Sequence, residues 1–242
     1  MSDRKTKLTF AGQAGFIIES ETGYRVGIDL YLSDCCYRYF GFKRLLPYLY
    51  NPSELNLDLL ISTHAHYDHF DPDAVPLIMS NPKTHLLAAE DVKTEAKRLH
   101  LPSERITYLK EGEIFKNDII LVKAMSCDHG SETPDAIGLL IEIDGKRIYI
   151  AGDTAFREDY FINPEFQNLN VFIHPINGAF GNMNEKEGAF AAKIIKADIT
   201  IPCHYWNFAE HGGNPNLFAK AMQDNCNLKY LLMRPGETIN IV

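Results

Sequence analysis

Short aliphatic runs, punctuated by turn-forming residues, recur along the chain, and several end at a side chain able to hold a metal ion or a proton. Thr9-Phe10-Ala11 and Gly15-Phe16-Ile17-Ile18-Glu19 predict two strands. Glu21-Thr22-Gly23 predicts a tight turn, and the return strand runs from Tyr24 to Asp29. Leu59-Leu60-Ile61-Ser62 reads as a buried strand. A strand over 84–88 precedes a helix over 90–100, with Val92, Ala96 and Leu99 on one side and Pro102 as its stop. Between 105 and 150 the pattern predicts four short strands (106–108, 119–124, 138–143 and 147–150), with Asp144-Gly145 as the hairpin turn of the last pair. Later strands are expected at 171–173, 198–201, 230–232 and 237–239. Asn184, with Glu187 at the capping-box position, and Asn214-Pro215 each predict a helix start. Neither a 20–50 residue repeat nor linker-like composition divides the chain, so 1–242 is expected to form one layered α/β domain.

The densest chemistry follows the strand at 59–62. His64, His66, Asp68 and His69 fall within six positions. A regular helix would send His64 and His66 to nearly opposite sides, and a flat strand would send His69 away from both. The spacing works if the strand stops near Thr63 and the chain turns into a helix, with Asp71 as cap, Pro72 in the first helical position and Asp73 near the positive helix end. A lone loop histidine is ordinarily solvated. Three with a carboxylate in H-x-H-x-D-H order predict a catalytic metal centre, and imidazoles mixed with carboxylate suit zinc, manganese or iron.

Other strand ends extend this set. His129 lies in Ser126-Cys127-Asp128-His129-Gly130, Asp153 follows Ala151-Gly152, and His204 ends the strand begun at Asp198. His129 and His204 are expected as ligands and Asp153 as a bridge between two divalent cations. Asp29 ends a strand too, and orienting a ligand histidine weighs equally with starting a turn. His211 sits in a glycine-containing loop, and a role as acid or substrate contact weighs equally with solvation. The loop 177–184 is rich in Asn and Gly. Asn177 there, and Asn207 after His204, are candidate substrate contacts, whereas Asn184 is the better cap. His85, His100 and His174 read as structural or solvated.

Residues 31–56 interleave seven aromatics with Arg38, Lys43 and Arg44 and follow no clean period. Such a stretch suits a loop packed over a substrate or a subunit contact, its cations available to an anionic group, or an ordered surface excursion with solvated charges. The apolar fraction of 45% is ordinary for a globular domain. A formal charge of −8 argues against general nucleic-acid binding. Met1 to Lys7 carries no leader-like apolar run and no stretch is long enough to span a bilayer, so no membrane partner is expected. The five cysteines (35, 36, 127, 203 and 226) form no framework, which suits reduced thiols in a cytoplasmic protein, and the pair Cys35-Cys36 reads as plain small residues.

The run Thr63-His64-Ala65-His66-Tyr67-Asp68-His69, followed in order by His129, Asp153 in Ala-Gly-Asp-Thr and His204 in Ile-Pro-Cys-His-Tyr, resembles the signature of metallo-β-lactamase-fold hydrolases across nearly the whole chain. Within that superfamily, Pro202-Cys203-His204-Tyr205-Trp206-Asn207-Phe208 looks like the branch related to L-ascorbate-6-phosphate lactonases. The resemblance implies a four-layer αββα sandwich of two packed mixed sheets with the site along one edge. It implies that His64, His66 and His129 hold one ion, that Asp68, His69 and His204 hold the other, and that Asp153 lies between. Asp rather than Glu at 68 favours hydrolytic members over flavo-diiron oxygen reductases. The expected activity is hydrolysis of a lactone or similar ester of a small polar, phosphorylated or unphosphorylated molecule by a hydroxide shared between the ions, with Asp68 orienting the nucleophile or taking its proton. A phosphodiesterase or nuclease of the same fold is the second expectation, and a non-catalytic metal-bound sensor the third. Self-association into a homo-oligomer is left open.

Overall fold

The aliphatic runs pair into two sheets because the central strands carry apolar side chains on both faces and must be covered twice. The computed structural model describes residues 5–242; part of the polar amino terminus read above, residues 1–4, lies outside the described residues. In chain order the elements are β1 (Lys7–Gly12), β2 (Gly15–Glu19), β3 (Arg25–Ile28), α1 (Cys35–Phe40), β4 (Leu59–Ser62), α2 (Ala74–Met79), β5 (His85–Ala89), α3 (Val92–Arg98) and β6 (Ile106–Leu109). They continue with β7 (Ile114–Lys116), β8 (Ile120–Met125), β9 (Gly138–Ile143), β10 (Lys146–Ile150), α4 (Glu158–Phe161), β11 (Val171–Pro175), α5 (Glu185–Ile195), β12 (Ile199–Cys203), α6 (Pro215–Asn225) and β13 (Thr238–Asn240).

One sheet has the order β13-β1-β2-β3-β4-β5-β6 and the other β12-β11-β10-β9-β8-β7. Both are mixed. β3 through β6 are parallel neighbours, as are β10, β11 and β12, while the hairpins β1–β2 and β8–β9–β10 are antiparallel. Leu8, Phe16, Ile18, Ile28, Leu59 and Ile61 face Val122, Leu139, Ile141, Ile148 and Ile173 across the inter-sheet core. The alternate side chains leave by the outer faces. Leu60, Leu86 and Ala88 pack under α2 and α3, and Tyr149 and Phe172 under α5 and α6. This is the αββα sandwich of the metallo-β-lactamase fold.

Local chemistry fixes the ends. Asp144 and Gly145 both take positive φ (50° and 72°), as the tight β9–β10 hairpin requires. Asn184 and Glu187 form a complete capping box on α5, and Asn214 accepts from the first-turn amides of α6. Three expectations change. The regular helix after the histidine cluster begins at Ala74, two residues beyond Pro72, although the Asp71 carboxylate takes the amides of Asp73 and Ala74 as a cap does, and also accepts from Leu32 N and Ser33 Oγ. Tyr230 to Leu232 makes one bridge, Thr200 to Tyr230, rather than a strand. The aromatic segment contains the short helix α1. Among the described residues no helix is long and apolar enough to cross a membrane.

Because β3–β6 run parallel and β10–β12 do likewise, their carboxyl ends open toward loops along one edge of the sandwich, where α/β sheets place their chemistry.

Candidate metal centre

Four side chains leave the loop after β4, and others come from the ends of β8, β10 and β12. His64 Nε2 and His129 Nε2 each lie 3.1 Å from His66 Nδ1. That nitrogen can serve only one of them with a proton or a lone pair, so a cation at the centre satisfies all three where hydrogen bonding cannot. In the other half, His204 Nε2 is 3.1 Å from Asp68 Oδ2 and 3.0 Å from Asp153 Oδ2. His69 Nδ1 donates to Asp29 Oδ2 at 2.9 Å, which leaves the His69 Nε2 lone pair facing Asp153 Oδ1 at 3.3 Å and Asp68 Oδ2 at 3.6 Å. His69 Nε2 is buried without a hydrogen-bond partner. Lone pairs gathered in this way call for positive charge. The triads His64–His66–His129, His64–His69–Asp153 and Asp68–His69–His204 each bring their donor atoms within 4.8 Å of one another, so the residues present fit metal ions.

The protonation pattern follows. Burial pushes His64 well below its ordinary value and His129 down to about 4, and His66 is lowered for the same reason. These imidazoles are neutral, as ligands must be. Burial would also lower His69 and His204, but carboxylates outweigh it. Asp153, Asp68 and Asp29 carry His69 well up, and Asp153 and Asp68 raise His204 to about 9. Conversely, burial would raise Asp68 and Asp153, yet His69 and His204 hold both well below the usual carboxylate range. The carboxylate half of the site attracts protons in the role a divalent cation takes.

The supporting shell explains why the chain turns so sharply here. Gln13, Asp29 and His204 all occupy left-handed backbone (φ 54°, 46° and 60°), which lets side chains leave the strand ends toward one centre. Asp29 also accepts from Thr63 N at 2.8 Å and Thr63 Oγ1 at 2.7 Å, so its role is to hold the start of the histidine loop and the His69 ring. Gly152 has φ 67°, and a Cβ there would lie 2.8 Å from Ile137 O, so the turn presenting Asp153 needs glycine.

Two participants were not legible beforehand. Gln13, in the β1–β2 turn, donates from Nε2 to Asp68 Oδ2 at 2.8 Å, and Asn182 donates to Asp153 Oδ2 at 2.7 Å. The only sequence signals were the glycines flanking 13 and the Asn-rich loop holding 182. His211 is brought in: its ring stacks on His204 (5.2 Å, 2°), and Nδ1 accepts from Gln13 Nε2 at 3.5 Å. Asn177 and Asn207 make their contacts outside the cluster. Asn177 turns its amide onto Ala179 O at 3.2 Å and closes its own loop. Asn207 accepts from Arg44 Nη1 at 3.4 Å and so braces the aromatic segment. Neither lines the cavity above the cluster. His174 is buried on the far side of its sheet, between Phe172 and Phe218.

That cavity, about 540 Å³, is floored by His66, Asp68, His129 and Asp153. Part of its wall comes from the segment 31–56, whose arginines point elsewhere: Arg38 pairs with Asp73 at 2.6 Å, and Arg44 donates to the carbonyls of Tyr31 and Ser33.

Residues 29–205 match the family described as the beta-lactamase superfamily domain, a span running from Asp29 to just beyond His204. A metal-dependent hydrolase of Sulfurisphaera tokodaii is 32% identical over 197 residues, covering 81% of this chain and 86% of that protein. A metal-dependent hydrolase of Methanosarcina barkeri is 28% identical over 245 residues, covering 97% of this chain and 98% of its own. The solved structure of a metallo hydrolase from Ignicoccus hospitalis superposes with a TM-score of 0.76 at 25% identity, over 97% of each chain. Fold, histidine and carboxylate cluster, and sequence relatives therefore agree: the chain belongs to the UPF0173 family of metal-dependent hydrolases within the beta-lactamase superfamily.

Proposed function

We propose that the chain hydrolyses a lactone or comparable ester with two divalent cations, zinc or manganese with iron as a compatible third. One would be held by His64, His66 and His129, the other by Asp68, His69 and His204, with Asp153 shared. The observation that carries this reading is the convergence of seven ligand-type side chains from both sheets beneath an accessible cavity. Bound there, the cations would acidify water and polarise a carbonyl oxygen. Asp68 is kept ionised by His69 and His204 and borders the cavity, so it is placed to orient the attacking water and take its proton. Gln13 fixes the Asp68 carboxylate by its hydrogen bond, and Asn182 does the same for Asp153. His211 borders the cavity, and its Nε2, which has no partner in the protein, would donate a proton held there to charge developing on the substrate oxygen.

The likeness of residues 202–208 to the ascorbate-phosphate lactonase branch supports the bond type. Reconstitution with zinc or manganese, followed by a panel of small lactones beside bis-p-nitrophenyl phosphate, tests the reading; faster turnover of the phosphodiester would reverse it. His66→Ala should lose at least a thousandfold in kcat/KM and bind metal more weakly. Retained turnover in a variant of verified metal content would reject the assignment.

A further inference from the structure

The wall of the cavity facing the cluster is a strip of aromatic rings. Phe40 ends α1, Gly41 takes φ 76°, and the turned chain brings Phe42 over the site. The Phe42 ring lies 6.1 Å from Phe40, 5.7 Å from Phe180 of the 177–184 loop and 5.2 Å from the His211 ring. Tyr67 extends the strip, 5.6 Å from Phe40. Phe40 and Phe180 are each 56% exposed, an unfavourable state for phenyl rings unless something covers them. Outside the ligand set the cavity offers an anion nothing: Glu132 is in the lining, and among the described residues neither Lys nor Arg lines it. Arg38 and Arg44 are committed to Asp73 and to backbone carbonyls, Arg157 pairs with Asp128 at 3.0 Å, and Lys43 lies outside the lining. A phosphate distant from the cations would meet ring faces and Glu132, with neither Lys nor Arg in the lining to pair with its charge.

We propose that this cavity selects uncharged substrates bearing an aryl or similarly flat apolar group, seated against Phe40, Phe42 and Phe180, and disfavours phosphorylated ones. The assignment of the substrate class rests on the ester-hydrolase reading above. The rings supply edge and face contacts to a planar group, while the carbonyl reaches the cluster.

The test pairs turnover with binding in the metal-reconstituted protein. kcat/KM for γ-phenyl-γ-butyrolactone should exceed that for the same lactone carrying a phosphonooxymethyl group by at least about tenfold. N-benzylacetamide, which has no ester bond, should bind at least about tenfold more tightly than N-methylacetamide by calorimetry. Phe180→Ala and Phe42→Ala should each reduce both margins severalfold, and Phe180→Tyr should keep them. Because Phe180 is exposed, thermal unfolding of its variants should match that of the parent chain. A reversed or absent aryl preference, or amide binding indifferent to both alanine substitutions, overturns the proposal. Phe180-dependent amide binding without hydrolysis of any lactone would uphold the aryl pocket and reject the ester reading; lactone hydrolysis without aryl preference would do the opposite.

Discussion

Asp29 is buried and does not line the cavity over the cluster, yet three donors converge on its carboxylate: Thr63 N, Thr63 Oγ1 and His69 Nδ1. The last fixes the His69 tautomer, so that Nε2 offers its lone pair to a cation. Asp29→Asn keeps the shape but replaces one acceptor oxygen by an amide donor. It should weaken metal affinity by about 10–100-fold, read by chelator competition, with the fold intact by circular dichroism. Unchanged affinity would show that the His69 ring is held by packing alone. At this scale the sequence was uneven. The histidine cluster was legible because its members are neighbours in the chain. A strand-ending aspartate is also a common turn former, so Asp29 stayed ambiguous. Gln13 was invisible, since its partner Asp68 lies 55 residues away and a lone glutamine in a turn carries no pattern. Asn177 drew attention as an amide in the Asn-rich loop, but Asn182 reaches Asp153; the loop's composition was informative and the choice of residue was not.

Elements were legible where burial imposes a period. β4, β5, β8, β9 and β10 follow the aliphatic runs, and the helix starts at Asn184 and Asn214 follow from their side-chain caps. β7 was not predicted, because an edge strand of three residues with two exposed leaves no apolar signature. α1 was hidden in an aromatic stretch whose rings face both cluster and solvent. The contact of α5 with β11 gives a sharper test. Gly188 would place a Cβ against the His174 ring, 2.9 Å from Nδ1 and closer to Cε1. In an ordinary helix interior Gly→Ala stabilises by about 1 kcal/mol. Here Gly188→Ala should destabilise by about 1–3 kcal/mol through overpacking. In a His174→Ala background the same change should cost nothing or stabilise, and additivity in the double-mutant cycle would reject the clash. His174 also makes stability depend on pH. Burial pushes it down to about 4, so between about 6.5 and 4 the unfolded chain takes up a proton that the folded chain refuses. Its contribution is fully present above 6.5 and is lost as the pH falls through that window, by on the order of 3 kcal/mol. Urea unfolding of chelated protein should show this loss as the difference between the parent chain and His174→Leu; parallel pH profiles would exclude it.

Over the whole molecule, what the sequence left open was assembly: which runs share a sheet and which neighbours run parallel is set by contacts far apart along the chain, and only the family resemblance supplied it. That assembly has an energetic consequence at the site. His64, His66, Asp68 and His69 hang from the sheet containing β4, and His129, Asp153 and His204 from the sheet containing β8, β10 and β12. Cations seated among them would tie the two halves of the sandwich together, and the unfolded chain presents no comparable site. A ligand that binds only the folded state stabilises it by about 2.7 kcal/mol at a hundred times its dissociation constant. For a chain of this length that corresponds to a rise of about 5–10 °C in Tm per site. Stripping metal with a chelator should therefore lower Tm in two increments, each tracking the loss of one equivalent of bound metal. His129→Ala should abolish one increment and leave the other. Asp153→Ala, which removes the carboxylate proposed to be shared between the two ligand sets, should abolish both. A Tm that ignores chelation, or an Asp153→Ala protein that keeps both increments, would mean that the two sheets are held by the inter-sheet core alone and that Asp153 does not bridge.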